Sequence, residues 1–129
     1  MPEHVHLLIL PLERPYEISV ILASIKQPVS QLARKYVEAN APAFLEHMRD
    51  IQPNGREAFR FWQRGGGYDR NVTAGEELWE KIHYIHQNPV RRKLVTRRDE
   101  WPWSSAADYA KVRAGPLPVD NDGLPWRRG

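Results

Sequence analysis

Polar and apolar residues alternate at the start of the chain, then fuse into a run: His4-Val5-His6-Leu7-Leu8-Ile9-Leu10, closed by Pro11. A short apolar segment bounded by proline predicts a strand buried on at least one face. In a strand, residues i and i+2 share a side, so His4 and His6 project together, with Val5 and Leu7 opposite. Residues 16–40 carry a helical period through Ile18, Ile21, Leu22 and Ile25, then Leu32, Ala33, Tyr36 and Val37. Pro28 between the halves predicts a kink or break near Gln27. Residues 43–51 read as a further helical turn or two, and Gln52-Pro53-Asn54-Gly55 as a turn.

Further on, residues 59–63 have strand character, Gly65-Gly66-Gly67 is a flexible break, and residues 68–72 read as a second short strand. Thr73 and Glu76 have capping-box spacing at the head of a helix over about 74–88. Leu78, Ile82 and Ile85 form its buried stripe, and Pro89 predicts its end. A turn-rich segment with Trp101-Pro102-Trp103 follows, then a short helix over about 106–112. Residues 1–112 read as one domain, and 113–129 as a flexible Pro/Gly/Arg-rich tail.

Composition narrows the classes. The chain has 129 residues, 41% of them hydrophobic and 27% charged, which suits one globular domain. No apolar run approaches the roughly 18 residues of a membrane span, and the N-terminus lacks signal-peptide character. The absence of cysteine excludes disulfides and thiolate metal sites and fits a cytoplasmic protein. Net charge is only +3, but the basic residues are grouped. Arg91, Arg92, Lys93, Arg97 and Arg98 crowd together, and Arg56, Arg60, Arg64 and Arg70 punctuate an earlier stretch. Such stripes fit a polyanion partner as well as a solvated surface.

Two features carry chemistry. Two imidazoles on one strand face can share a divalent cation. On the helix over 74–88, Tyr84 points away from the buried stripe, and Asn88, four residues on, lies on its face. A phenolate can attack a phosphodiester while a metal held by two histidines polarises the phosphate. An amide beside the nucleophile can complete the coordination. The blander reading is a pair of strand histidines and an exposed tyrosine. Tyr16, Tyr36, Tyr68 and Tyr109 are rival nucleophiles, with Tyr68, after the glycines, the first of them. Trp101 and Trp103 read as packing anchors before base-stacking residues, and His47 and His83 as surface histidines.

Four ordered motifs then resemble one family. Met1-Pro2-Glu3-His4-Val5-His6-Leu7-Leu8-Ile9 resembles the HUH signature of single-tyrosine transposases. Ser24-Ile25-Lys26-Gln27, then Phe61-Trp62-Gln63-Arg64 with Tyr68-Asp69-Arg70, then Tyr84-Ile85-His86-Gln87-Asn88-Pro89-Val90 with Trp101-Pro102-Trp103-Ser104-Ser105, look like the REP-associated branch. The resemblance runs from Met1 to about Tyr109. It implies an α+β, ferredoxin-like antiparallel sheet with helices on one face. It implies that His4 and His6 bind Mg²⁺ or Mn²⁺, that Asn88 (or its rivals Gln87 and His86) completes the site, and that Tyr84 forms a 5′-phosphotyrosine. It also implies a single-stranded or hairpin DNA partner, held by Arg64, Arg70, Arg91, Arg92, Lys93 and Arg97, and a monomer or homodimer. The family's signature strand follows a strand, a helix and another strand segment; here the chain starts at the signature. That predicts a truncated sheet with an open edge. The rival functions are a non-catalytic DNA-binding remnant and a His-based metal hydrolase using activated water.

Overall fold

The computed structural model describes residues 1–65 and 67–120. They mix helices with a two-stranded antiparallel sheet, an α+β composition. The chain divides into two compact units: Met1–Leu12 joined to the chain from Arg70 onward, and Glu13–Asp69. The expected tail lies partly outside the described residues, at 121–129.

In the unit Glu13–Asp69, α1 spans Ile18–Asn40 without a break at Pro28. The proline costs the Ser24 carbonyl its helical donor. Both Ser24 and Pro28 are exposed, so water can serve that carbonyl and the helix continues. The helical period sorts as read for Ile21, Leu22, Ile25, Ala33 and Val37, which are half-buried, but Leu32 and Tyr36 face solvent, each 67% exposed. A 3₁₀ turn (Pro42–Phe44) leads to the single-turn α2 (Leu45–Met48). Residues 49–51, read as helix, are instead strand β1 (Arg49–Ile51), paired with β2 (Glu57–Phe59) in the register Arg49↔Phe59, Asp50↔Ala58, Ile51↔Glu57. The predicted turn joins them: Gly55 N–H donates to the Gln52 carbonyl at 2.9 Å, with Gly55 at φ 77°, a conformation that favours glycine. Charge fixes the hairpin further. Arg49 pairs with Glu57, while Arg60 and Arg64 both grip Asp50. These two guanidiniums, Arg60 before Arg64, hold the Asp50 carboxyl below its ordinary pKa.

In the other unit, α3 runs over Gly75–Arg91. The capping box expected at Thr73 does not form; Ala74 is the N-cap, without a side-chain bond. Glu76 and Glu77 in the first turn complement the helix dipole instead. Pro89 does not stop the helix; it sits buried in the last turn. Ile82 is buried, and Leu78 and Ile85 half-buried, as the period predicts. A 3₁₀ turn (Arg98–Glu100) packs against α3, and the single-turn α4 (Ala106–Tyr109) packs against that turn. Ala106 and Ala107 join Ile82 in the core.

Residues 4–10 depart most from expectation. They form no strand ladder, and the only sheet among the described residues is the β1–β2 hairpin. Nor are they buried on one face: Val5, Leu7, Leu8, Ile9 and Leu10 are 42–61% exposed. The residues 59–63 and 68–72 also fall short of the strands read for them, apart from Phe59 at the end of β2. A ladder needs a partner as well as an apolar sequence; residues 4–10 pair with no strand among the described residues, and 59–63 pair only at their start, with Phe59 opposite Arg49 and Arg60 N–H on the Met48 carbonyl at 2.6 Å.

Candidate functional site

The unit that carries residues 1–12 and α3 brings four predicted residues together. His4 Nε2 lies 3.1 Å from His6 Nε2, and the two rings meet edge to face at 4.7 Å. Asn88, on the last turns of α3, places Nδ2 2.8 Å from the same His6 Nε2. The Tyr84 ring stands edge-on to His6 at 5.8 Å between centroids. Asn88 is buried, 9% exposed, whereas Tyr84 one turn earlier is 49% exposed. The amide thus closes the back of the site and the phenol stands at its open side. Arg91 completes the row at i, i+4, i+7, its guanidinium 5.8 Å from the Tyr84 ring centroid.

His6 Nε2 can offer one lone pair or one proton. It faces both an imidazole nitrogen and an amide. Burial, then the charge of His4, lowers the His6 pKa, which favours the neutral ring that a metal requires. Two imidazoles and an amide that can turn its oxygen inward form a fitting donor set for a divalent ion. Among the described residues no group of three His, Cys, Asp or Glu side chains assembles, so an amide or water must supply whatever the histidines do not.

Glu3, which the sequence reading singled out only as part of a motif, links this site to the basic cluster. Its carboxylate lies 3.6 Å from His4 Nδ1 and pairs with Arg92 at 2.5 Å. The signal was its position one residue before His4, where a carboxylate can reach the ring.

The two rivals of Asn88 lie elsewhere. Gln87 is exposed. His86 is buried against the core, with Nε2 2.9 Å from Ser105 Oγ and its ring 5.0 Å from that of Tyr109. Desolvation, then the charges of Arg98 and His83, pushes its pKa down to about 4. The rival nucleophile Tyr68 belongs to the other unit and is 87% exposed. Trp101 is half-buried, but Trp103, read as a packing anchor, is 76% exposed.

The basic residues read as DNA contacts divide into two kinds. Arg64 pairs with Asp50, Arg70 with Glu77 at 2.6 Å, Arg92 with Glu3, and Arg97 with Asp99 at 2.6 Å. Arg91 lies against Tyr84, and Lys93 is exposed just beyond α3. Among the described residues, Arg91 and Lys93 are therefore the cations of this set that lie at the end of α3 without a carboxylate within ion-pair distance. No helix among the described residues is long and apolar enough to cross a membrane.

Comparison with known proteins finds a distant likeness. The chain is 26% identical over 125 residues to a Haemophilus influenzae protein named "Putative REP-associated tyrosine transposase". The match covers 97% of this chain and 64% of that protein, so the chain spans less than two thirds of its relative's length. No family model matches the chain, and no solved structure does. The likeness suggests a transposase.

Proposed function

We propose that the protein is a single-tyrosine transposase that nicks and rejoins single-stranded or hairpin-forming DNA. The observation that carries this reading is the convergence on His6 Nε2, which lies 3.1 Å from His4 Nε2 and 2.8 Å from Asn88 Nδ2, with the Tyr84 ring edge-on to His6 at 5.8 Å. In this reading the α+β composition belongs to a ferredoxin-like plan.

The Tyr84 oxygen attacks the phosphorus of a backbone phosphodiester. The bond to the 3′ oxygen breaks, the 5′ side remains on Tyr84 as a phosphotyrosine, and a 3′-hydroxyl is released. The phenolic proton leaves to solvent, to which Tyr84 is open, and the departing 3′ oxygen takes a proton from solvent in turn. Attack of a 3′-hydroxyl on the phosphotyrosine reverses the step and rejoins a strand without an external energy source. His4, His6 and Asn88 would hold Mg²⁺ or Mn²⁺, which supplies Lewis-acid polarisation of the phosphate. Arg91 adds positive charge where the phosphate must sit, and Arg92 is held by Glu3 at the edge of the same site.

The test is incubation with hairpin DNA and Mn²⁺, followed by mass spectrometry of protein–DNA adducts. Wild type forms an adduct on Tyr84. Tyr84→Phe keeps the ring, binds DNA as before and forms none. An adduct on Tyr68 would overturn the assignment. Binding without any adduct would favour the DNA-binding remnant, and cleavage that survives Tyr84→Phe would favour an activated-water hydrolase.

A further inference from the structure

The unit Glu13–Asp69 has a cleft of its own, about 270 Å³ in volume, lined by Lys26 and Ser30 of α1, by Phe59 at the end of β2, and by Phe61, Trp62 and Gln63 after it. Nothing in the proposed chemistry uses it. Its volume lies just below the roughly 300 Å³ at which pockets for drug-sized ligands begin. That suits one flat group rather than a run of them.

Four observations define what would fit. The Trp62 indole is held in place: its Nε1–H donates to the Lys26 carbonyl at 3.0 Å. Phe61 is 50% exposed and stands at 87° to Trp62, with 5.2 Å between centroids, so the two rings make a corner with one face and one edge. The Lys26 ammonium lies 5.8 Å from the Trp62 ring centroid and makes no ion pair among the described residues. Among the described residues no carboxylate lines the cleft, and Asp50, the acid that meets its Arg60, is shared with Arg64. A fixed aromatic wall, a neighbouring cation and the absence of acid select a flat ring that carries a negative group. Gln63 adds an amide that can both donate to and accept from a ring edge.

We propose that this cleft holds one unpaired base of single-stranded DNA, stacked on the Phe61–Trp62 corner, with Lys26 neutralising an adjoining phosphate. The proposal rests on the reading of the protein as a DNA-acting transposase and adds a second, non-catalytic contact to it. Stacking of a base on an aromatic side chain contributes about 1–3 kcal/mol and tolerates any base.

The experiment compares a thymidine oligonucleotide with an abasic chain of the same length, each bound to wild type, Phe61→Ala and Lys26→Gln by fluorescence anisotropy. Phe61→Ala should weaken thymidine binding about fivefold or more and leave the abasic chain unchanged, because only stacking is lost. Lys26→Gln should weaken both. Phe61 is half-exposed and makes no hydrogen bond that anchors the fold, so the variant should keep its circular dichroism. As a measurement free of substitution, photocrosslinking of a 5-bromouracil oligonucleotide to wild type should map to Phe61 or Trp62. Equal losses on thymidine and abasic chains, or crosslinks elsewhere only, would overturn the cleft while leaving the Tyr84 adduct intact. Thymidine monophosphate binding as tightly as the oligonucleotide would overturn it in favour of a small-molecule pocket. A wild type that binds neither chain would remove the transposase reading together with the cleft.

Discussion

At the site, one nitrogen serves too many neighbours. His6 Nε2 lies 3.1 Å from His4 Nε2 and 2.8 Å from Asn88 Nδ2, yet has one lone pair or one proton to give. A cation would give both rings and the amide a common partner. Isothermal titration with Mn²⁺ should therefore show one site, lost in His4→Ala/His6→Ala and weakened in Asn88→Ala. His86→Ala should leave it unchanged, because that ring is bonded to Ser105. Equal Mn²⁺ binding by wild type and the double variant would remove the assignment. His86 supports a second, separate prediction. Its folded pKa of about 4 is below the ordinary 6.5, chiefly through desolvation. Between these values the unfolded chain takes up a proton that the folded chain refuses. The associated stability is complete above pH 6.5 and declines as pH falls toward 4, by roughly 3 kcal/mol in all at about 1.4 kcal/mol per unit. Urea midpoints at pH 7 and pH 4.5 should fall steeply in wild type and much less in His86→Gln. Parallel falls would show that other groups govern acid sensitivity.

At the scale of elements, the end of α3 decides how Asn88 is presented. Beyond Arg92, Lys93 adopts φ 57°, its N–H donates to the Val90 carbonyl at 2.9 Å, and Leu94 N–H donates to the Pro89 carbonyl at 2.9 Å. This is a Schellman closure with lysine where glycine is favoured. The same closure recurs after α4, where Lys111 has φ 55° and Val112 N–H donates to the Ala107 carbonyl. A left-handed lysine costs about 1–2 kcal/mol. Lys93→Gly should therefore raise the melting temperature while weakening DNA binding through the lost charge. A lower melting temperature would show that the lysine side chain supports the turn. The same element shows what sequence could disclose. The row Tyr84, Asn88, Arg91 follows from helical period alone, and so does buried Ile82. The end of the helix does not, because Pro89 carries the usual stop signal and no glycine marks the cap. The hairpin turn at 52–55 was legible from Asn54-Gly55. Strand β1 was not: Arg49-Asp50-Ile51 has little strand character, and its pairing rests on Glu57, Arg60 and Arg64, residues from beyond the turn. The histidine pair was legible by its spacing, but a spacing of two implies one shared face only if a strand forms. Here the two rings converge without a ladder.

For the whole molecule the balance of buried and exposed apolar groups is the governing fact. Among the described residues the buried hydrophobic side chains are Met48, Ile82, Ala106 and Ala107, and two of these are alanine. Over residues 5–10, by contrast, every apolar side chain is substantially exposed, and Leu12 is 91% exposed. Exposed apolar residues in single file, beside backbone groups that no ladder satisfies among the described residues, form an edge that other chains can pair with. A core this small leaves little margin over the entropy lost on folding. The chain should therefore melt broadly and associate with itself, with a sedimentation coefficient that rises with concentration. Charge placed on the segment should oppose this without touching the imidazoles, since lysine on an edge discourages pairing. Leu7→Lys and Ile9→Lys should shift the protein toward monomer and leave the Mn²⁺ titration as in wild type. Leu32→Lys, at an exposed position on α1, serves as the control that adds the same charge elsewhere. If Leu32→Lys disperses the protein as well as Ile9→Lys does, net charge and not the edge governs association. A wild type that stays monomeric at high concentration and melts in one sharp transition would contradict the prediction outright. It would mean that residues 4–10 are covered in solution, and that the histidines they carry are held by packing before any metal or DNA arrives.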